Sequence, residues 1–205
     1  MKAGKIIKVC GMSDAENIRR VEALGIDWMG FVFHQPSPRC IHQMPGYLPA
    51  HCKRIGVFVN EQKQHILTVA DRFALDYVQL HGEESPEFCR SIQQAGLSVI
   101  KAFGIKTSDD VYRTNNYEGV CSFFLFDAPC RQYGGSGNQF DWDVLSHYSG
   151  TTPFILSGGI NQYSAPALNK LKHPMLAGFD INSRFETSPG VKDVERITYF
   201  LNELK

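Results

Sequence analysis

Lys5-Ile6-Ile7-Lys8-Val9-Cys10-Gly11 is a short apolar run that ends on a thiol and a glycine, and Ser13-Asp14 then opens a helical pattern. A strand that leads straight into a helix is half of a β/α unit, and the same alternation repeats along the chain. After residues 6–10, apolar runs of strand length fall at 28–33, 54–59, 77–81, 98–103, 122–127, 153–157 and 175–180. Several are apolar on both faces, as expected for parallel strands covered outside and filled inside. Helical stripes lie between them: Ala15, Ile18, Val21 and Leu24; Ile66, Val69, Ala70 and Phe73; Phe88, Ile92 and Ala95. Val191, Val194, Ile197, Leu201 and Leu204 make the last stripe at i+3/i+4 steps. Gly25, Gly96 and Gly150 follow helical segments, where a left-handed cap is wanted.

Alternating β and α argues for parallel strands with right-handed crossovers, and eight units predict one α/β chain folded as a (β/α)8 TIM barrel over residues 1–205. A chain of 205 residues is short for that fold, so some connections must be compressed. The second helical segment is one, because Pro36, Pro38, Pro45 and Pro49 leave it little room. The fifth, over 107–116, is the other. A doubly wound open sheet is the competing architecture.

Composition narrows the function. The chain is 43% hydrophobic and 20% charged, an ordinary globular balance that can bury a sizeable core. Lys+Arg and Asp+Glu both number 21, so no basic surplus recommends nucleic acid. No apolar run reaches the ~18 residues of a membrane span, and residues 1–4 lead into the first strand without a signal-peptide core. Six cysteines show no C-x-x-C pairing and no metal-like clustering with the seven histidines. They read as reduced thiols of a cytoplasmic protein.

In such a barrel the active site forms at the carboxyl ends of the strands. Cys10 stands at one such end, beside a helix N-terminus and two residues after Lys8, where the field would favour a thiolate. The plainer reading of Cys10 is inert packing. Asp127 closes strand six and would face Cys10 across the ring, one as base and one as acid, although an Asp at a strand end is often just a turn residue. Glycine-bearing stretches follow strands six, seven and eight: Gly134-Gly135-Ser136-Gly137, Ser157-Gly158-Gly159 and Asp180-Ile181-Asn182-Ser183. The loops after strands seven and eight are the usual phosphate site, with bare backbone N–H groups and a Ser hydroxyl as donors. Arg39, between prolines, is either a solvated loop charge or a bidentate clamp for a carboxylate.

Taken together and in order, Lys8-Val9-Cys10-Gly11, Gly30-Phe31-Val32-Phe33, Ser37-Pro38-Arg39, Val78-Gln79-Leu80-His81-Gly82 and Phe126-Asp127 form one set. It continues through Gly134–Gly137, Leu156-Ser157-Gly158-Gly159-Ile160 and Gly178-Phe179-Asp180-Ile181-Asn182-Ser183, with Glu186 and Pro189-Gly190. That set resembles the phosphoribosylanthranilate isomerase family of tryptophan biosynthesis over nearly the whole chain. The resemblance implies an Amadori rearrangement of N-(5-phosphoribosyl)anthranilate, with Cys10 as general base and Asp127 as general acid. The substrate-binding set it implies is Arg39, Gln79, His81, Gly135, Gly158, Gly159, Asp180, Asn182 and Ser183. For Asp127 the acid role asks for a pKa raised by burial. No redox cofactor or metal is called for, because the sugar gains no atoms. The chain departs from the family pattern at Met12-Ser13 and His34-Gln35, outside the acid, base and phosphate positions.

Two other readings compete. The sister isomerase of histidine biosynthesis uses two Asp residues and duplicated halves, whereas here strand one carries Cys10 and no second phosphate half-motif is visible. A phosphate-ligand binding barrel without turnover would tolerate Cys10→Ser. The expected partner is a small phosphorylated molecule, with no nucleic acid and no membrane, and the resemblance leaves room for association or fusion with neighbouring tryptophan-pathway enzymes.

Overall fold

All eight apolar runs become strands of one closed barrel in a computed structural model that describes residues 2, 4–127 and 142–205. The strands are β1 (Ile6–Val9), β2 (Trp28–Val32), β3 (Lys53–Phe58), β4 (Tyr77–Leu80), β5 (Ser98–Gly104), β6 (Phe123–Asp127), β7 (Phe154–Ser157) and β8 (Leu176–Ile181). Every neighbouring pair is parallel, and β8 closes on β1 with Lys8 opposite Asp180. An open sheet is thereby excluded. A two-stranded hairpin, β9 (Glu186–Ser188) and β10 (Val191–Lys192), follows β8.

The outer layer forms where apolar stripes meet a capping residue. In α1 (Ala15–Glu22) the Asp14 carboxylate accepts from Asn17 N–H, and in α3 (Pro86–Gln94) the Ser85 hydroxyl accepts from Phe88 N–H. α2 (Lys63–Phe73) buries Ile66, Val69, Ala70 and Phe73, the expected stripe. The last helix, α6 (Val194–Glu203), starts after Val191, which pairs in the hairpin instead of continuing the stripe. Its Asp193 cap accepts from the N–H groups of Glu195 and Arg196. Ala95 lies just past α3 and is exposed, with Cys89 filling the buried position. Gly25 and Gly96 have positive φ, but Gly150 does not. A Cβ there would sit 2.1 Å from Glu118 Oε1, so Gly150 is required for space.

Compression goes further than expected. Between β2 and β3 there is no helix at all, only the proline-rich segment. The fifth segment is one turn, α4 (Ser108–Tyr112), running into a 3₁₀ turn over Arg113–Tyr117. The eighth strand is preceded only by α5 (Ala165–Leu168). No described helix is long and apolar enough to cross a membrane.

Side chains alternate along each strand, so inward positions come in layers. At the amino-terminal end Trp28 stacks on Tyr77 and meets Phe123 edge-on, both with centroids 5.0 Å apart. Ile55, Ile100, Leu125 and Ile155 fill the middle. Two residues further along the same strands the inward positions turn polar: Gln79 follows Tyr77, Asp127 follows Leu125, and Ser157 follows Ile155. The change of layer from apolar to polar is where the site begins.

Candidate active site

A cavity of about 300 Å³ opens at the carboxyl ends of the strands. Cys10, Gln79, His81, Asp127, Gly158, Gly159, Asp180, Asn182 and Ser183 all line it. Of the expected site residues, Arg39 is outside this lining, and Gly135 lies outside the described residues.

Cys10 is buried against Val32 and Val57. Two glycines shape its place. A Cβ on Gly30 would stand 2.7 Å from the Cys10 sulfur, so the thiol occupies the space a larger residue would take. Gly11 turns the chain at φ +76°, and a Cβ there would meet Arg39 Cδ at 2.7 Å and Asn182 Oδ1 at 2.8 Å. The neighbouring backbone is tied down, with Cys10 N–H donating to Ile181 and Gly11 N–H to Gly30.

The expected thiolate is corrected by this burial. Desolvation pushes the Cys10 thiol up from its ordinary value, against the Lys8 and Lys192 ammoniums that pull it down, and Asp180 adds to the rise. At the N-terminus of α1 it is the Asp14 carboxylate that accepts from the Asn17 N–H. Lys8 reaches across to Asp180, Nζ to Oδ1 at 3.0 Å, with both side chains buried. Burial alone would lower the Lys8 pKa, but Asp180 and Cys10 together raise it, so Lys8 is held as an ammonium. Burial likewise pushes Asp180 up, with Lys8 opposing. Asp180 is thus the ion partner of Lys8, with the Ser157 hydroxyl 3.4 Å from its other oxygen.

Asp127 ends β6 with its side chain 43% exposed. Among the described residues His81 is its nearest ionisable partner, Nε2 to Oδ2 at 3.7 Å. Gln79 Nε2 stands 2.8 Å from His81 Nδ1, and with the amide so oriented Nδ1 accepts, leaving the imidazole hydrogen on Nε2 toward Asp127. Gln79 Oε1 is buried without a hydrogen-bond partner among the described residues. The turn carrying His81 is braced from behind: Lys101 Nζ donates to the carbonyls of Leu80, Gly82 and Ala102, and Glu84 accepts from Gly82 N–H.

On the opposite rim Gly158 and Gly159 take φ +101° and +63°, conformations that side-chain-bearing residues rarely adopt. Ser183 opens a 3₁₀ turn over Ser183–Phe185 beside them. Bare backbone N–H groups and a hydroxyl at the loops after β7 and β8 match an anion site.

Arg39 is bound by Glu186, Nε to Oε1 at 2.8 Å and Nη2 to Oε2 at 2.6 Å. Glu186 and Lys192, which donates to it at 2.6 Å, were not among the expected site residues. Glu186 belongs to the set that carries the family resemblance and Lys192 does not; the β9–β10 hairpin brings the two together. Among the described residues no three His, Cys, Asp or Glu side chains gather to hold a metal ion.

The profile of the family described as N-(5'phosphoribosyl)anthranilate (PRA) isomerase matches residues 7–203. The chain is 52% identical to an N-(5'-phosphoribosyl)anthranilate isomerase of Phocaeicola vulgatus, covering 98% of each chain. It is 46% identical to the enzyme of that name from Parabacteroides distasonis, covering 97% of this chain and 93% of the relative. Among solved structures, phosphoribosyl anthranilate isomerase from Thermotoga maritima superposes with a TM-score of 0.82 at 35% identity over 97% of this chain and 98% of that one. A second such structure, in complex with reduced 1-(o-carboxyphenylamino)-1-deoxyribulose 5-phosphate, matches with a TM-score of 0.82 at 33% identity over 97% of both chains.

Proposed function

The chain belongs to the N-(5'-phosphoribosyl)anthranilate isomerase family, and we propose that its isomerase activity in tryptophan biosynthesis is carried by Cys10 as general base and Asp127 as general acid. The observation that supports this assignment is a thiol and a carboxyl group lining one cavity with an anion-suited rim at Gly158, Gly159 and Ser183. The whole unit is one barrel over residues 1–205, working in the cytoplasm on a small phosphorylated substrate.

The chemistry follows from those groups. The phosphate rests on the loops after β7 and β8, and the sugar lies across the mouth of the barrel. Asp127 gives its proton to the furanose oxygen as the C1–O bond breaks, and the nitrogen lone pair forms the C=N bond. The positive imine acidifies the proton on C2. Cys10 acts as the thiolate, having first given its own proton to solvent; its sulfur then takes the C2 proton, and the C–H electron pair moves into an enolamine, which tautomerises to the ketone. Protons move but no electrons leave the substrate, so the rearrangement needs no redox cofactor. Lys8 and Lys192 reduce the cost of the transient thiolate, while Gln79 Oε1 offers an acceptor to a substrate hydroxyl or amine. Asp180 supports by holding Lys8.

The test is a fluorescence assay with freshly made phosphoribosylanthranilate. Cys10→Ala and Asp127→Asn are each expected to lower kcat by about 10²–10⁴-fold with circular dichroism unchanged. Near-normal turnover in either variant removes that residue from the mechanism.

A further inference from the structure

Glu186 plays no part in the proton transfers above, yet it holds the most densely bonded carboxylate beside the cavity. Its side chain is 6% exposed and accepts from Arg39 Nε and Nη2, from Lys192 Nζ at 2.6 Å, and from Gly190 N–H at 3.2 Å. Burial alone would raise its pKa, but the bonds from Arg39 and Lys192 outweigh burial and hold it below the ordinary carboxylate value. Lys192 Nζ in turn donates to Asn182 Oδ1 at 2.7 Å, and Asn182 lines the cavity.

Two features of this cluster suit it to bind an anion. Arg39, Lys192 and Glu186 sum to one positive charge, which one further carboxylate would cancel. A guanidinium also has two edges that can each take a carboxylate through parallel bonds, Nε with Nη2 and Nη1 with Nη2. Glu186 fills the first edge, and among the described residues Nη1 has no hydrogen-bond partner. Glu186 is no displaceable stand-in for substrate, because its departure would leave two cations facing each other in a buried site.

We infer that Glu186 is a positioning residue: by holding the Nε/Nη2 edge of Arg39 it fixes the guanidinium with its other edge free for the aryl carboxylate of the substrate. The inference rests on the reading of Arg39 as the ligand of that carboxylate.

Steady-state kinetics of wild type, Arg39→Ala, Glu186→Gln and the double variant test both, on phosphoribosylanthranilate and on phosphoribosylaniline, which lacks the carboxylate. Glu186→Gln is expected to raise KM for the anthranilate substrate by about tenfold more than for the aniline compound; any change in kcat, which Lys192 can transmit to Cys10, is expected to be shared by both substrates. The double variant is expected to be no worse than Arg39→Ala. If Glu186→Gln does not fold, Glu186→Asp, which keeps the charge but shortens the reach, is read in the same way. A KM that falls in the Glu186 variant makes Glu186 a competitor of substrate and overturns the inference, and so does an unchanged KM alongside a raised one in Arg39→Ala; in both cases the reading of Arg39 stands. An unchanged KM in Arg39→Ala overturns the reading of Arg39 itself.

Discussion

At Cys10 two effects of opposite sign meet within one side chain. Burial disfavours the thiolate, and the ammoniums of Lys8 and Lys192 favour it, each already neutralised in part by Asp180 or Glu186. The balance leaves the thiol above its ordinary value. Alkylation of Cys10 by iodoacetamide, followed by peptide mass spectrometry across a pH series, is therefore expected to show a midpoint above the ordinary ~8.5 of a free cysteine. Asp180→Asn removes an anion that raises the thiol and frees the charge of Lys8, so its midpoint should lie lower than that of the wild type. A wild-type midpoint at or below ~8.5 would show that the lysines outweigh burial.

Among the elements, the missing helix between β2 and β3 asks for another source of order. Glu22 at the end of α1 supplies it. Its carboxylate accepts from the N–H groups of Ala50 and His51 and from the Tyr47 hydroxyl, and Arg19 lies 4.0 Å over the Tyr47 ring. Burial would raise the Glu22 pKa, but these donors outweigh it and hold it below the ordinary value. A depressed carboxylate contributes stability above its unfolded pKa of ~4.3, and the contribution is lost as pH falls through the folded value. Glu22→Ala is expected to cost about 2–3 kcal/mol in urea unfolding at pH 7, with a difference from wild type that shrinks below about pH 4. A constant difference across that range would mean that packing, not charge, holds the segment.

For the molecule as a whole, closure of the barrel decides what the site contains. Lys8 and Asp180 are 172 residues apart in the chain and become an ion pair because β8 hydrogen-bonds to β1. The loops after β7 and β8 and the thiol are brought together by the same closure, so a ligand bound there should stabilise the entire fold. A reduced product analogue at 100 times its Kd is expected to add about 2.7 kcal/mol, a rise in Tm of roughly 5–10 °C for a chain of this size. Calorimetry with and without the analogue measures it, and no shift at saturation would remove the barrel mouth as the binding site.

Much was legible in the order of residues alone. Eight apolar runs, with amphipathic stripes between several of them, favour a parallel barrel over a doubly wound open sheet, since two-sided burial and the hand of the crossover leave few other solutions. Period-2 alternation put Cys10 on the strand face of Lys8, the barrel rule put Asp127 and Ser157 at carboxyl ends of strands, and the family resemblance added Gln79. What sequence could not supply was the state and partnership of those groups. The charge on Cys10 depends on how much water its packing excludes, Arg39 is claimed by a carboxylate 147 residues away, and Lys192 turns inward only because two short strands pair. Local pattern records which face a residue takes. Desolvation and ion pairing depend on distances between remote segments, and those exist only once the ring has closed.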